Sequence, residues 1–240
     1  MAEERQHNYS FPKWANWLLP LLVVAVLGGG LYMPLAAGWG LSAYTLNVGY
    51  QPKQPVPYSH ELHVSQLGLD CLYCHSTVDK AKFAAIPPTS VCINCHNPAQ
   101  GVNGVRKTSD QLAAVFKSYE TGMPVEWIKV HDLPDYVYFN HSAHVAKGVG
   151  CVTCHGRVDK MGADGVHQVE PLSMSWCLDC HRAPEKYLRP VDEVTNMTYK
   201  PKANPGETQA EAQLRVGLEL KERYRVHDMA YMQACSTCHR

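Results

Sequence analysis

Cys71-Leu72-Tyr73-Cys74-His75 is a five-residue frame that the chain repeats at residues 92–96, 151–155, 177–181 and 235–239. Its ten cysteines, Cys71, Cys74, Cys92, Cys95, Cys151, Cys154, Cys177, Cys180, Cys235 and Cys238, all fall within these frames. C-x-x-C-H is the attachment motif for c-type haem. Two thiols add across the two vinyl groups on one edge of a flat macrocycle, and the adjacent imidazole rises to the iron. His75, His96, His155, His181 and His239 are thereby the expected proximal ligands, and five covalent haems the expected cofactors. Zinc sites and redox disulfides use C-x-x-C without needing the following histidine, which is present here every time. Ferredoxin-type clusters want closely spaced cysteine runs, and disulfide frameworks space their cysteines less regularly.

Composition narrows the architecture. Formal net charge is zero, so nothing points to nucleic acid as a partner. Four phenylalanines stand against thirteen histidines and sixteen prolines in 240 residues. Five haems then leave little peptide per cofactor, and the macrocycles must supply much of the apolar core. The expected fold is mainly α with extensive loops and little or no β, and it should not form without its cofactors.

Residues 14–52 contain no Lys, Arg, Asp or Glu, and 17–38 are dominated by Leu, Val, Ala and Gly. About 20 such residues cross a bilayer. Trp14 and Trp17 at one end, with Trp39 and Tyr44 at the other, are placed as interfacial anchors. Pro20, Pro34 and Gly28-Gly29-Gly30 are tolerated in a membrane helix. A cleaved signal peptide has a shorter apolar region, and Leu35-Ala36-Ala37 is a weak cleavage site. The expected division is a short cytoplasmic N-terminus (1–13), one transmembrane anchor (14–40) and a haem domain (41–240). Because haem c is attached outside the bacterial inner membrane, the haem domain is expected in the periplasm.

The haem domain repeats internally. His60-Glu61-Leu62-His63 precedes the first motif and His141-Ser142-Ala143-His144 the third. Ser76-Thr77-Val78-Asp79-Lys80 and Gly156-Arg157-Val158-Asp159-Lys160 follow those motifs, and each half ends with another motif. Residues 58–96 and 138–181 therefore read as two copies of a two-haem unit, with motif 235–239 added at the end. Histidines three residues apart share a helix face. Six-coordinate iron needs a second axial ligand, so His60, His63, His141 and His144 are the expected distal ligands.

Tyr58-Ser59-His60-Glu61-Leu62-His63 and Phe139-Asn140-His141-Ser142-Ala143-His144, each feeding a C-x-x-C-H, resemble the trihaem and tetrahaem cytochromes c7 and c3. That resemblance implies that His60 caps the haem of His75 and His141 that of His155, with His63 and His144 reaching other haems nearby. The anchor, the five motifs, Leu133-Pro134-Asp135-Tyr136-Val137-Tyr138-Phe139-Asn140-His141 and Met174-Ser175-Trp176-Cys177 resemble the pentahaem subunit of alternative complex III. Haem subunits of menaquinone-linked periplasmic complexes share parts of this pattern. Membership would imply a complex that oxidises menaquinol. Its partners would be an iron–sulfur subunit, polytopic membrane subunits and a monohaem cytochrome c.

The fifth distal ligand stays open among His227, Met174, Met161 and His131; His167 reads as an exposed loop residue. Residues 184–206 read as an extended connection and 97–123 as a loop with a short helix. A helix is expected over 207–226, with Leu214, Leu218 and Tyr224 on one face. All five motifs keep their histidine, so nothing marks a substrate-activating iron. The expected function is an electron-transfer subunit, not an enzyme on its own. A self-sufficient quinol dehydrogenase, a multihaem reductase with one open iron and a free periplasmic shuttle are the competing readings.

Overall fold

A computed structural model describes residues 12–42, 45–99 and 104–239. The expectations on residues 1–11 and on Tyr44 fall outside that range. The chain divides into two compact units, Met1–Leu46 and Asn47–Arg240.

The first unit is helix α1, Ala15–Gly40. Its 26 residues span about 39 Å at a rise of about 1.5 Å each, against about 30 Å of bilayer hydrocarbon. It is long and apolar enough to cross a membrane, and none of its side chains is buried by protein. Pro20 and Pro34 lie inside it without ending it. The helix begins one residue inside the apolar segment 14–40 and ends with it.

The second unit is built from short helices. Five of them carry the C-x-x-C-H motifs: α2 (Cys71–Cys74), α3 (Thr89–His96), α6 (Cys151–His155), α7 (Met174–Arg182) and α10 (Cys235–Cys238). One turn suffices to bring two cysteines three residues apart onto one side. Local caps start several of these turns. Asp70 accepts from the Leu72 amide at 2.7 Å, and Ser173 from that of Trp176 at 3.3 Å. Between the motifs lie α4 (Ala113–Thr121), α5 (His141–Ala146), α8 (Gln209–Arg223) and α9 (Met229–Met232). Among the described residues β structure amounts to isolated bridges, Val137 with His239 and Val149 with Leu188. The mainly α, loop-rich expectation holds.

The protein core is small. Val56, Ile93 and Val115 form one buried cluster, covered by Phe116, Val125 and Trp127. That ties α4, the expected short helix within 97–123, to the second motif.

The expected extended connection at 184–206 is instead a compact wrap. It contains tight turns at Pro184–Lys186 and Val191–Glu193 and buries Leu188, Arg189 and Val194. Arg189 lies across Gly150, where a Cβ would stand 2.2 Å from its guanidinium carbon. Proline and asparagine serve here to turn the chain tightly, not to extend it.

Helix α8 begins at a Thr208–Glu211 capping box, two residues inside the expected start. Its buried face is also not the expected one: Ala212, Gly217 and Leu220 face inward, while Leu214 and Leu218 are 42 % and 50 % exposed. Gly217 decides the rotation. A Cβ there would meet the Glu185 carbonyl oxygen at 1.8 Å, so the helix rests its backbone on the turn below.

Candidate haem centres and their order

The two histidine pairs sit in one repeated geometry. In the first unit Tyr58 stacks on His63, centroids 4.4 Å apart, and meets His60 edge-on at 4.8 Å. In the second, Phe139 stacks on His144 at 4.5 Å and meets His141 edge-on at 4.7 Å. The carbonyls of Ser59 and Asn140 accept from Nδ1 of His63 and His144 at 2.8 and 2.7 Å. The backbone differs beneath this likeness: the first pair opens a π-helical turn, Glu61–Gln66, and the second opens the α-helix α5. An aromatic two residues before each pair was a signal in the sequence, and its role as a clamp went unread.

Ring separations report what could lie between the histidines. An imidazole nitrogen sits about 2.0 Å from a bound metal and about 1.1 Å from its own ring centre, so two imidazoles across one iron have centroids about 6.2 Å apart. His63 and His96 are 6.3 Å apart, His144 and His181 6.2 Å, and His141 and His155 6.5 Å. His60 has His75 as its strongest charged neighbour. The expected distal histidines thus face proximal ones in pairs. His141 faces the first motif of its unit, and His63 and His144 face the second motif of theirs.

Protonation fits the same use. Nδ1 of His75, His96, His181 and His239 points to the carbonyls of Ala85, Val105, Met232 and Tyr136, at 3.3, 2.7, 2.9 and 3.3 Å. Nδ1 must carry the proton in each bond, which leaves Nε2 as a lone pair for a metal. Burial pushes the His155 imidazole down to about 3, with His131 and His141 adding to the effect. Burial likewise lowers His60 to about 4 and shifts His141 and His144 downward. The ten cysteines are free of disulfides. Burial raises Cys71 and Cys180 to about 11 and Cys154 to about 12, the behaviour of thiols lining an apolar space. Histidines and thiols withdrawn from water at the first, third and fourth motifs suit a flat hydrophobic macrocycle.

Contacts link the motifs to one another. The Asn94 amide donates to the Tyr73 hydroxyl at 3.1 Å, joining the second motif to the first. The Cys71 thiol feels that of Cys151, and the His141 amide donates to the Lys82 carbonyl at 3.1 Å, joining the first to the third. Cys154 feels Cys180 and Cys177, joining the third to the fourth. Cys177 feels Cys238, and His181 reaches the Met232 carbonyl just before the fifth motif. The fifth motif also touches the segment before the third: the Tyr138 amide donates to the Cys238 carbonyl at 2.8 Å, and Lys82 stands over the Tyr138 ring at 4.6 Å.

The four candidates for the fifth distal ligand are placed by other contacts. His227 tilts onto Tyr231 at 4.0 Å, and Met174 is exposed at the start of α7. Met161 is buried under the first unit, its carbonyl accepting from the Glu61 amide. His131 lies against the third motif, edge to face with His155 at 4.5 Å. His167 is half-buried at a small cavity shared with Gln51, Arg157 and Met161, not the exposed loop residue expected. His239 faces the Tyr136 ring at 5.7 Å.

Residues 107–232 match the cytochrome c552 family. The chain belongs to that family. The match contains the second histidine pair and the third and fourth motifs, so the chain carries covalently bound c-type haem. A further relative is the multihaem cytochrome c subunit of menaquinone reductase from Nitratidesulfovibrio vulgaris, strain Hildenborough. It is 32 % identical over 126 residues, covering 52 % of this chain and 56 % of that protein. The chain therefore spans little more than half the length of this relative.

Proposed function

We propose that the chain is a membrane-anchored pentahaem cytochrome c that relays electrons within a quinone-linked respiratory complex. The observation that carries this reading is the set of histidine pairs 6.2 to 6.5 Å apart, and the contacts between motifs support an order of second, first, third, fourth, fifth. Bound haem supplies one-electron chemistry at iron. The cysteines would hold each macrocycle on a helical turn, and the proximal histidines would be oriented by the carbonyls behind them. His60, His63, His141 and His144 would close the opposite faces of four sites against exogenous ligands. Tyr58 and Phe139 would keep those imidazoles from rotating. The anchor α1 would hold the haem domain at the periplasmic face of the inner membrane.

Resemblance to alternative complex III favours electron flow from quinol toward a periplasmic acceptor, with iron–sulfur, polytopic and monohaem partners. The relative's name favours the opposite direction, toward menaquinone. Copurification of the chain from membranes, with both half-reactions assayed on the intact complex, separates the two. Menaquinol oxidation that reduces these haems supports the first; haem oxidation by menaquinone supports the second. A chain isolated alone from detergent-free extracts would overturn the subunit reading.

A further inference from the structure

His155 differs from the other proximal histidines. His75, His96, His181 and His239 each have a backbone carbonyl at Nδ1, and among the described residues His155 has none. Its ring instead meets the ring of His131 edge to face, at 4.5 Å and 79°. His131 is itself an anomaly, since its Nε2 is buried with no hydrogen-bond partner. A buried polar atom left unmatched is costly, so such an atom wants a use. The segment carrying His131 is fastened from both sides. Gln54 donates to the Ile128 carbonyl at 2.8 Å and accepts from the Ile128 amide at 2.9 Å. Val125 and Trp127 pack on the Val56–Ile93–Val115 cluster. The distal position opposite His155 is already taken by His141, nearly parallel at 12°.

We propose that His131 is a positioning residue for the third haem site, orienting the His155 imidazole where the other sites use a backbone carbonyl. The proposal rests on the third motif being a haem site. An imidazole acceptor behind a ligating histidine makes that ligand more electron-rich and favours the oxidised metal. Closing a hydrogen bond from His155 to the unmatched His131 nitrogen thus gives the third site a lower potential than a carbonyl-backed histidine would.

The test uses the full-length holoprotein with His131→Leu and His131→Gln. Intact mass reports haem attachment, electron paramagnetic resonance reports spin state, and a spectroelectrochemical titration resolves the midpoints. In His131→Leu every haem is expected to stay attached and low-spin, with one midpoint raised and one low-spin signal altered. His131→Gln, which keeps an acceptor, is expected to fall between Leu and wild type. Unchanged midpoints and signals in both variants would overturn the positioning role, and a new high-spin iron would make His131 an axial ligand instead. Wild-type protein lacking haem at Cys151 and Cys154 would overturn the underlying reading of the site, a result distinguishable by mass alone.

Discussion

Replacing His144 by alanine separates ligation from mere packing. His144 faces His181 at 6.2 Å, stacks on Phe139 at 4.5 Å and donates from Nδ1 to the Asn140 carbonyl at 2.7 Å. Losing the hydrogen bond costs about 1 kcal/mol. Losing the stacked ring costs about 0.5–1.5 kcal/mol more. A loss of about 2 kcal/mol is tolerable for a domain braced by several covalent cofactors. The spectroscopic effect is larger: one iron of the expected five loses its sixth ligand and becomes high-spin, while its haem stays attached through Cys177 and Cys180. Electron paramagnetic resonance shows the high-spin signal, and rapid cyanide binding by one iron confirms an open face. His144→Met should return that iron to the low-spin state at a raised midpoint, because thioether ligation favours the reduced metal. A His144→Ala protein that retains all its haems and stays fully low-spin would refute the pairing of His144 with His181.

Two further predictions concern the scaffold. Gly217→Ala gains about 1 kcal/mol in helix propensity. It nevertheless forces α8 off the Glu185 carbonyl, a clash of the kind that costs about 1–3 kcal/mol, so calorimetry should show a lower melting temperature. Glu207 is held at about 2 by Arg215, which contacts it at 2.8 and 2.9 Å, and by the Asn204 amide. Its folded value lies below the ordinary carboxylate value of about 4.3. The stabilisation is therefore full above about pH 4.3 and fades as pH falls toward 2. Melting curves across that window should show Glu207→Gln losing this part of the pH dependence.

The sites were far more legible in the sequence than the scaffold. A C-x-x-C-H is contiguous, and one turn of helix is enough to assemble it, so Cys71 and His75 could be placed by spacing alone. The His60–His63 and His141–His144 pairs were legible because they recur at the same offset before a motif. The partners of His63 and His144 were not, since His63 meets His96 across 32 residues of intervening chain. Residues 184–206 misled because Pro and Asn mark turns without saying whether the turns pack, and Leu188 and Arg189 are buried by contact with residues near 150. The α8 face misled because hydrophobic period favoured Leu214 and Leu218, whereas the contact that won is a glycine backbone against a carbonyl. Absence of a side chain leaves no periodic signal.

The order of the centres is the part of the account most exposed to test. Anomalous diffraction at the iron edge, or a map of the intact complex by electron microscopy, locates each iron against its motif. The account predicts five irons in a single file, held in turn by His96, His75, His155, His181 and His239. Fewer than five irons, a branched arrangement, or a first iron that does not lie between the second and third would contradict it.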